Sequence, residues 1–443
     1  MRRAALPESR GGQPAPHGEA ARLAFAYVAL FGMMGIQLPY WPVWLAHRGM
    51  EPDEIGLLLG VFTWARLAAP WTGSWVDRRG SPHRLAAVLS AATLACMAAF
   101  ALADSFAPLL LLSALSGLTL APVLPLVDGI AVGAAAARRI DYGRVRLWGS
   151  ATFVFASSLG GLALQGRSAA LVLPFMIAAS AALTAASLFL PRAPARRPAP
   201  SDRAGAGAGA ASLAAATAAA TADAAAAVDA ATFTAPAPAP APASGPALLA
   251  SLRSMLARPR MPTFLAAIGC MQGSHAVLYG FGTRYWQSIG IPESTIGWMW
   301  AWGVIAEVAL FAVSQRAIAR LGPVGMLSVA GLGGVIRWPL LARVESVPIL
   351  FALQTLHATT FAAMHLGAMT WIRDTIDAPA VQRATGLYVA VGSGIALGLG
   401  MPLAGLLYGE VGGGAYFAMA VSSALGLFFA LRLRPTAAAP ARS

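Results

Sequence analysis

Residues 55–76 read IGLLLGVFTWARLAAPWTGSWV and residues 296–315 read IGWMWAWGVIAEVALFAVSQ. Each stretch is apolar throughout except for a single charge, Arg66 in the first and Glu307 in the second. The Ile-Gly pairs that open them lie 241 positions apart, and so do Arg66 and Glu307. Both run into a basic turn, Asp77-Arg78-Arg79-Gly80 after the first and Arg316 to Gly322 after the second. One half of the chain therefore reads as a diverged copy of the other. A helix that crosses a bilayer needs ~20 apolar residues, so each copy holds an ionisable group where hydrocarbon should be.

Working outward, the same test predicts twelve spans, at about 23–46, 54–76, 84–103, 106–134, 147–165, 168–190, 261–286, 294–315, 324–342, 347–371, 384–408 and 414–431. Their length, and the need to satisfy every backbone amide within the segment, makes them helices rather than strands. The expected fold class is an all-α integral membrane protein of twelve transmembrane helices in two six-helix pseudo-repeats. Composition agrees: 58% of the 443 residues are hydrophobic and 11% are charged, against roughly 25% charged in soluble domains.

All 31 basic residues are Arg, and their placement tests the topology. With the N-terminus in the cytoplasm, twenty-five fall in cytoplasmic segments, three in outer loops (Arg48, Arg167, Arg343) and three within spans (Arg66, Arg284, Arg337). Positively charged residues collect on the cytoplasmic side, so both termini are expected there. One miscounted helix would put every later loop on the wrong side. The net charge of +13 is thus explained by topology and not by a nucleic-acid partner. Cys96 and Cys270 both lie inside apolar runs, which excludes a disulfide framework across the outer loops.

The predicted organisation is a cytoplasmic tail over 1–22, a six-helix domain over 23–190, a linker over 191–250, a second six-helix domain over 251–434 and a short cytoplasmic tail over 435–443. The first apolar run is too long for a cleaved secretory signal. The linker runs from Pro191-Arg192 through an Ala/Gly tract to the alternating Ala/Pro stretch that ends at Pro242. Ala210–Ala231 is not a thirteenth span, because Asp223 and Asp229 interrupt it and an extra crossing would invert all later loops.

Six plus six helices with a long central loop and parallel repeats is the arrangement of the major facilitator superfamily. Gly73-x3-Asp77-Arg78-x-Gly80, between the second and third spans, resembles that superfamily's gating loop motif. Ser81-Pro82 stand where the family usually has basic residues. Longer stretches narrow the likeness: Leu38-Pro-Tyr-Trp-Pro-Val-Trp-Leu45, Ile55 to Gly60, Pro125-Leu-Val-Asp128, Asp141-Tyr-Gly-Arg-Val-Arg-Leu-Trp-Gly-Ser150, Gln272-Gly-Ser-His275, Tyr285-Trp-Gln287, Gly303 to Val308 and Arg337-Trp338. Together they resemble the 3-phenylpropionic acid transporter family, a bacterial branch related to the proton-coupled sugar and nucleoside symporters. The resemblance implies a multi-pass protein of the bacterial inner membrane, working as a monomer, that moves an aromatic carboxylate with protons as coupling ion. It implies no other cofactor and no metal.

The residues themselves supply the candidate chemistry. A charge at mid-membrane costs ~2.5–3.5 kcal/mol on insertion scales, so each marks a functional candidate. Arg66 on span 2 and Asp128 on span 4 fall at similar depth. They form either a static ion pair or a substrate site in which Arg66 binds a carboxylate while Asp128 orients it or titrates. Glu307 on span 8, Arg337 on span 9 and His357 and His365 on span 10 resemble the proton-handling set of the lactose permease branch. Span 10 here has no acidic residue one turn beyond its His, so Glu307 carries more of the work. His357 and His365 are eight residues apart, which turns them about 80° from each other on an α-helix, and His365 is expected near Glu307 in depth. Gln272, His275 and Tyr279 share one face of span 7. The expected proton-coupling set is Glu307, His365, His357 and Asp128. The expected substrate set is Arg66, Gln272, His275, Tyr279 and Arg337. Tyr40, Trp41, Trp44, Tyr285, Trp286, Trp298, Trp300 and Trp302 read mainly as interfacial aromatics, with Tyr279, Trp371 and Tyr388 as the deeper rings.

No phosphate-binding loop, metal-spaced Cys/His cluster or Ser/His/Asp arrangement stands out, so an enzyme is not expected. Two other readings stay open: the same fold with a nucleoside, sugar or drug as cargo, and a membrane sensor that no longer transports.

Overall fold

The computed structural model describes residues 18–68, 81–137, 139–192 and 252–434. Every regular element among them is helical. Span 1 is Gly18–His47, span 3 Pro82–Ala99, span 5 Tyr142–Leu164, span 6 Val172–Leu188 and span 8 Glu293–Ala312. Span 2 begins as Pro52–Trp64 and tightens into a 3-10 turn over Ala65–Ala68, beyond which 69–80 lie outside the described residues. Its start is written in the sequence. Pro52 sits where no amide partner is needed, and the Glu51 and Glu54 side chains close a reciprocal capping box, which satisfies two orphan donors. Asp141 caps span 5 by accepting from the Arg144 amide at 3.1 Å.

Four spans are broken where the chain carries Pro, Gly or buried polar residues. Span 4 is Phe106–Leu120 and Val123–Ala136, hinged at Ala121-Pro122. Span 7 is Met261–Gly273 and Ala276–Ser288, hinged at Ser274-His275. Span 10 is Val347–Thr355, a π-helical turn over Ala358–Ala363, then Met364–Thr375. Span 11 is Val381–Val389, a π-helical stretch over Ala390–Ala396, then Leu397–Val411. Such π turns gather at functional sites. Span 12 is Ala415–Leu431. Val381–Leu431 is one apolar run of 51 residues. At 1.5 Å per residue it would be ~77 Å long, more than twice a hydrocarbon core of ~30 Å. It therefore makes two crossings, parted at Gly412, where φ is 54°. The whole set is compatible with the twelve expected crossings.

Two boundaries differ from expectation. Gly18–Arg22, expected in the N-terminal tail, form the first turns of span 1, and Glu19 pairs there with Arg139 at 3.0 Å. The basic turn expected after span 8 is instead helical, Ser314–Leu341 being one helix with a break at Gly322 (φ 64°, ψ 175°). Only glycine takes that conformation without strain, and Pro323, which has no amide to donate, restarts the helix as span 9. The expected linker over 191–250 lies outside the described residues apart from Pro191 and Arg192, and the tail over 435–443 lies outside them entirely.

The first six spans meet the last six along spans 2 and 11, 5 and 8, and 1 and 7. Close approaches to backbone carbonyls sit at the end away from the Arg-rich segments. A Cβ on Gly405 would strike the Pro52 carbonyl, and one on Gly297 would strike the Ser157 carbonyl and lie 2.7 Å from the Tyr40 hydroxyl. Tyr40 donates to that same Ser157 carbonyl at 2.6 Å. One apolar core runs across both sets at this end. Toward the Arg-rich end the last six spans close around a separate core of their own, built from Met261, Phe264, Phe311, Leu327 and Trp371 among others. Among the described residues the two sets thus pack together at one end, while toward the other the last six spans keep a core of their own.

Candidate functional site

Between the two sets lies a cavity, walled on one side by Phe31 and Leu38 of span 1 and Ser150 and Phe153 of span 5. The facing wall is Leu278 and Tyr279 of span 7, Met299, Trp300, Gly303, Val304 and Glu307 of span 8, and Gln354 and His357 of span 10. The first wall is nearly all apolar. The second carries the charge. The Trp300 indole is held by its N–H, which donates to Thr283 at 2.9 Å, so that ring is fixed at the cavity edge.

The polar wall is one connected network. Glu307, 2% exposed, has Oε2 3.5 Å from His357 Nε2. His357 Nδ1 lies 3.3 Å from an Arg337 terminal nitrogen, which also donates to Thr360 Oγ1 at 2.9 Å. The other terminal nitrogen donates to Gln354 Oε1 at 2.5 Å. Arg337 is wholly buried and lies over the Trp338 ring at 4.9 Å. Among the described residues no carboxylate forms an ion pair with it. Trp338 is anchored in turn by Ser423 and Ser274 at 2.9 and 3.2 Å.

Donor logic fixes the protons. An Arg has no acceptor, so His357 Nδ1 must accept and its proton sits on Nε2, aimed at Glu307. His275 Nδ1 lies 3.1 Å from the Met271 carbonyl, which can only accept. His275 therefore carries a proton there, and its Nε2 lies 3.2 Å from Thr360 Oγ1. His357, whose Nδ1 accepts from Arg337, is neutral in this arrangement. Among the residues lining the cavity, Glu307 is the carboxyl.

A second buried set lies in the first six spans. Asp128 accepts from the Tyr27 hydroxyl and, at 3.2 Å, from the Tyr142 hydroxyl. Arg146, 1% exposed, lies with its guanidinium 4.2 Å from the Phe31 ring centre and 5.2 Å from that of Tyr27. Arg146 thus stands directly behind Phe31, a cavity-lining ring.

The predicted residues divide accordingly. Glu307, His357 and Tyr279 line the cavity; Arg337 and His275 stand behind its polar wall. Gln272 is buried against Gly392 of span 11, away from the cavity. His365, expected near Glu307, instead meets the Tyr388 hydroxyl of span 11 at 3.0 Å and the Phe311 ring at 6.5 Å. It is His357 that meets Glu307. The 80° offset expected between the two histidines is removed by the π turn over Ala358–Ala363, which inserts one extra residue between them. The Arg66 side chain, and Gly73, Asp77, Arg78 and Gly80, lie outside the described residues. Of the aromatics, Trp41 and Trp44 stack on each other at 4.6 Å against Phe100, and Trp371 stacks on Phe264.

Sequence reasoning missed Gln354, Thr360, Tyr27 and Arg146. Gln354 and Thr360 carry no charge and no hydropathy contrast strong enough to mark them. Arg146 falls among the twenty-five Arg counted in the cytoplasmic segments, beside Arg138, Arg139 and Arg144. The Asp141 cap could have corrected this, because on a helix that starts at Tyr142 two steps of about 100° turn Arg146 away from Arg144.

Known proteins with this architecture are membrane transporters. The model of the MFS_1 like family matches residues 20–419. The Escherichia coli (strain K12) protein named "Probable 3-phenylpropionic acid transporter" is 30% identical over 419 residues, covering 94% of this chain and 98% of that one. Among solved structures, the nucleoside transporter NupG superposes with a TM-score of 0.76 at 15% identity, over 94% of this chain and 99% of that one. A bacterial homologue of the human lysosomal transporter Spinster, in an inward-facing and unoccupied conformation, superposes at 0.68 with 14% identity, over 97% of this chain and 100% of that one. Those two likenesses speak to fold alone. The extent of the family match and of the Escherichia coli alignment places the chain in the MFS_1-like family of the major facilitator superfamily, a family of multi-pass membrane transporters.

Proposed function

We propose that the chain is a secondary active transporter that takes up an aromatic carboxylate, of the class of 3-phenylpropionate, together with protons. The observation that carries this reading is that Glu307 shares one cavity with an apolar, ring-bearing wall. An aryl group fits between Phe31, Phe153 and Trp300, and its acid group then faces Gln354 and His357, with the Arg337 charge behind them. A carboxylate cargo cannot sit beside an ionised Glu307 without like-charge repulsion, which favours the protonated form. Cargo entry and proton uptake are therefore coupled by proximity. One proton per monoanion makes the cycle electroneutral, and a second would add ~2.3 kcal/mol per 100 mV of membrane potential.

Alternating access follows from the seal at one end. With the Arg-rich end in the cytoplasm of a bacterial inner membrane, and both termini with it, the end packed by Tyr40, Gly297 and Gly405 faces outside. Rocking of the two six-span sets about the cavity exposes it to the other side. The Gly73 to Gly80 loop acts in that rocking as a gating element between spans 2 and 3. Arg66, on span 2, and Asp128 serve the cargo and the proton from the first six spans. Gln272 and His275 act from span 7, and His365 passes protons from span 10. The cavity lining comes from both halves of one chain, which supports the monomer as the working unit.

The test is uptake of labelled 3-phenylpropionate into proteoliposomes under an imposed pH gradient, with a nucleoside as competitor. Accumulation that follows the gradient and resists the nucleoside supports the reading. No gradient-dependent accumulation overturns it, and displacement by the nucleoside reassigns the cargo.

A further inference from the structure

We infer that Gln354 is the side chain that grips the cargo's acid oxygens, and that Arg337 is the positioning residue that turns it to do so. The inference rests on the proposed aromatic-carboxylate cargo and names the recognising group. Gln354 is 3% exposed and lines the cavity. Its amide has two distinguishable ends, a carbonyl that accepts and an NH2 that donates. Arg337 can only donate, and its terminal nitrogen lies 2.5 Å from Gln354 Oε1. The carbonyl end is thereby committed to the guanidinium. The NH2 is left for the cavity, where it presents donors and no acceptor.

The same guanidinium takes the acceptor nitrogen of His357 at 3.3 Å. Arg337 thus consumes the acceptors of both span 10 side chains on the polar wall, and Gln354 faces an incoming ligand as a donor. The guanidinium never needs to touch the ligand. Its charge polarises the amide it holds, and donors strengthened in this way suit a carboxylate better than a neutral hydroxyl. Glu307, once protonated, adds a further donor. A wall of donors selects a ligand rich in acceptors, which a carboxylate is and an aryl alcohol is not.

The decisive variant is Gln354→Glu. It is isosteric, keeps an oxygen for Arg337 and changes the cavity-facing NH2 to an oxygen, so packing survives. Gln354→Met, which removes both ends, is the companion. Both are compared with wild type in purified full-length protein, by quenching of tryptophan fluorescence with 3-phenylpropionate and with 3-phenylpropanol at neutral pH. The ratio of the two affinities is the readout, because a merely structural role moves both ligands together. Gln354→Glu is expected to weaken 3-phenylpropionate roughly 10- to 100-fold, because it loses a hydrogen bond to a charged group and sets a like charge in its place, while leaving the alcohol unchanged. Gln354→Met is expected to weaken the acid selectively but by less. Unchanged acid affinity in Gln354→Glu, or equal loss for acid and alcohol in both variants, overturns the assignment of Gln354 and leaves the cargo standing. A wild-type protein that binds no acid overturns the cargo class and this assignment with it.

Discussion

His357 Nε2 stands 3.5 Å from Glu307 Oε2 across the gap between spans 10 and 8, with Arg337 on the other ring nitrogen. A second proton on His357 would face a cation, so the proposed cycle assigns the exchangeable proton to Glu307. Glu307→Gln mimics the protonated state permanently. It is expected to abolish accumulation against a gradient while sparing counterflow of cargo between equal pools, measured in proteoliposomes. In wild type the Michaelis constant for an anionic cargo should rise about tenfold per pH unit once Glu307 ionises, as a single linked proton requires, and it should be flat in Glu307→Gln. Accumulation that survives the substitution removes Glu307 from the proton path.

On the proposed reading His357 serves the proton step by holding its ring donor toward Glu307. His357→Asn can still donate through its amide, and should slow accumulation several-fold while keeping its pH dependence. His357→Phe loses the donor and should shift the pH profile of transport as well. A profile identical in both variants and wild type would leave His357 as packing alone.

Much of the fold was legible because the bilayer imposes one length and one polarity on every crossing. The site was half legible for the opposite reason. Glu307, His357 and Arg337 stand out as charges or imidazoles in apolar runs, but what binds them together is neutral. Thr360 and Gln354 are ordinary residues until Arg337 is seen to donate to both. The register of span 10 was beyond reach of a helical wheel, since a π turn adds a residue without any mark in composition. Arg146 shows the converse, a charge whose neighbours made it look like a loop cation although it is 1% exposed.

The glycines at the sealed end set how firmly it closes. Gly297 packs against the Ser157 carbonyl and the Tyr40 hydroxyl, so a side chain there must push spans 5 and 8 apart. Gly297→Val is expected to shift the population toward opening at that end. With Cys96 and Cys270 replaced by Ala, a cysteine at cavity-lining Leu38 should react several-fold faster with a membrane-impermeant thiol reagent applied from outside. An unchanged rate would mean that the seal is held elsewhere along spans 2 and 11.

Asp128 takes two hydroxyls at once. Asp128→Ala leaves both Tyr27 and Tyr142 without their acceptor in a buried site, at a cost of about 1–3 kcal/mol for each unsatisfied group. Thermal unfolding in detergent should show that loss plainly, and Asp128→Asn, which keeps an acceptor, should show less of it. If Asp128 also exchanges protons, Asp128→Asn slows gradient-driven accumulation without changing counterflow. Wild-type accumulation in that variant would make Asp128 a structural acceptor.

In the proposed cycle His365 and Tyr388 extend the proton route from Glu307 toward the Arg-rich end. With one residue inserted by the π turn, the eight residues from His357 to His365 act as seven, close to two α-helical turns. The two rings then follow one another down the same face of span 10, as Glu307 and Phe311 do on span 8. Phe361 stacks on His357 at 5.5 Å, and Phe311 meets His365 edge-on, so aromatic rings stand beside both imidazoles. Tyr388 is the titratable group facing His365 from span 11, while span 8 presents Phe311 and span 9 packs Leu327 against the same turn at Gly367. Tyr388→Phe removes only the hydroxyl. It is expected to lower the rate of gradient-driven accumulation several-fold while leaving counterflow, cargo affinity and melting temperature as in wild type. His365→Gln should do the same more strongly. A fall in counterflow equal to the fall in accumulation would assign the pair to helix packing, because exchange of cargo requires the rocking motion but no net movement of protons.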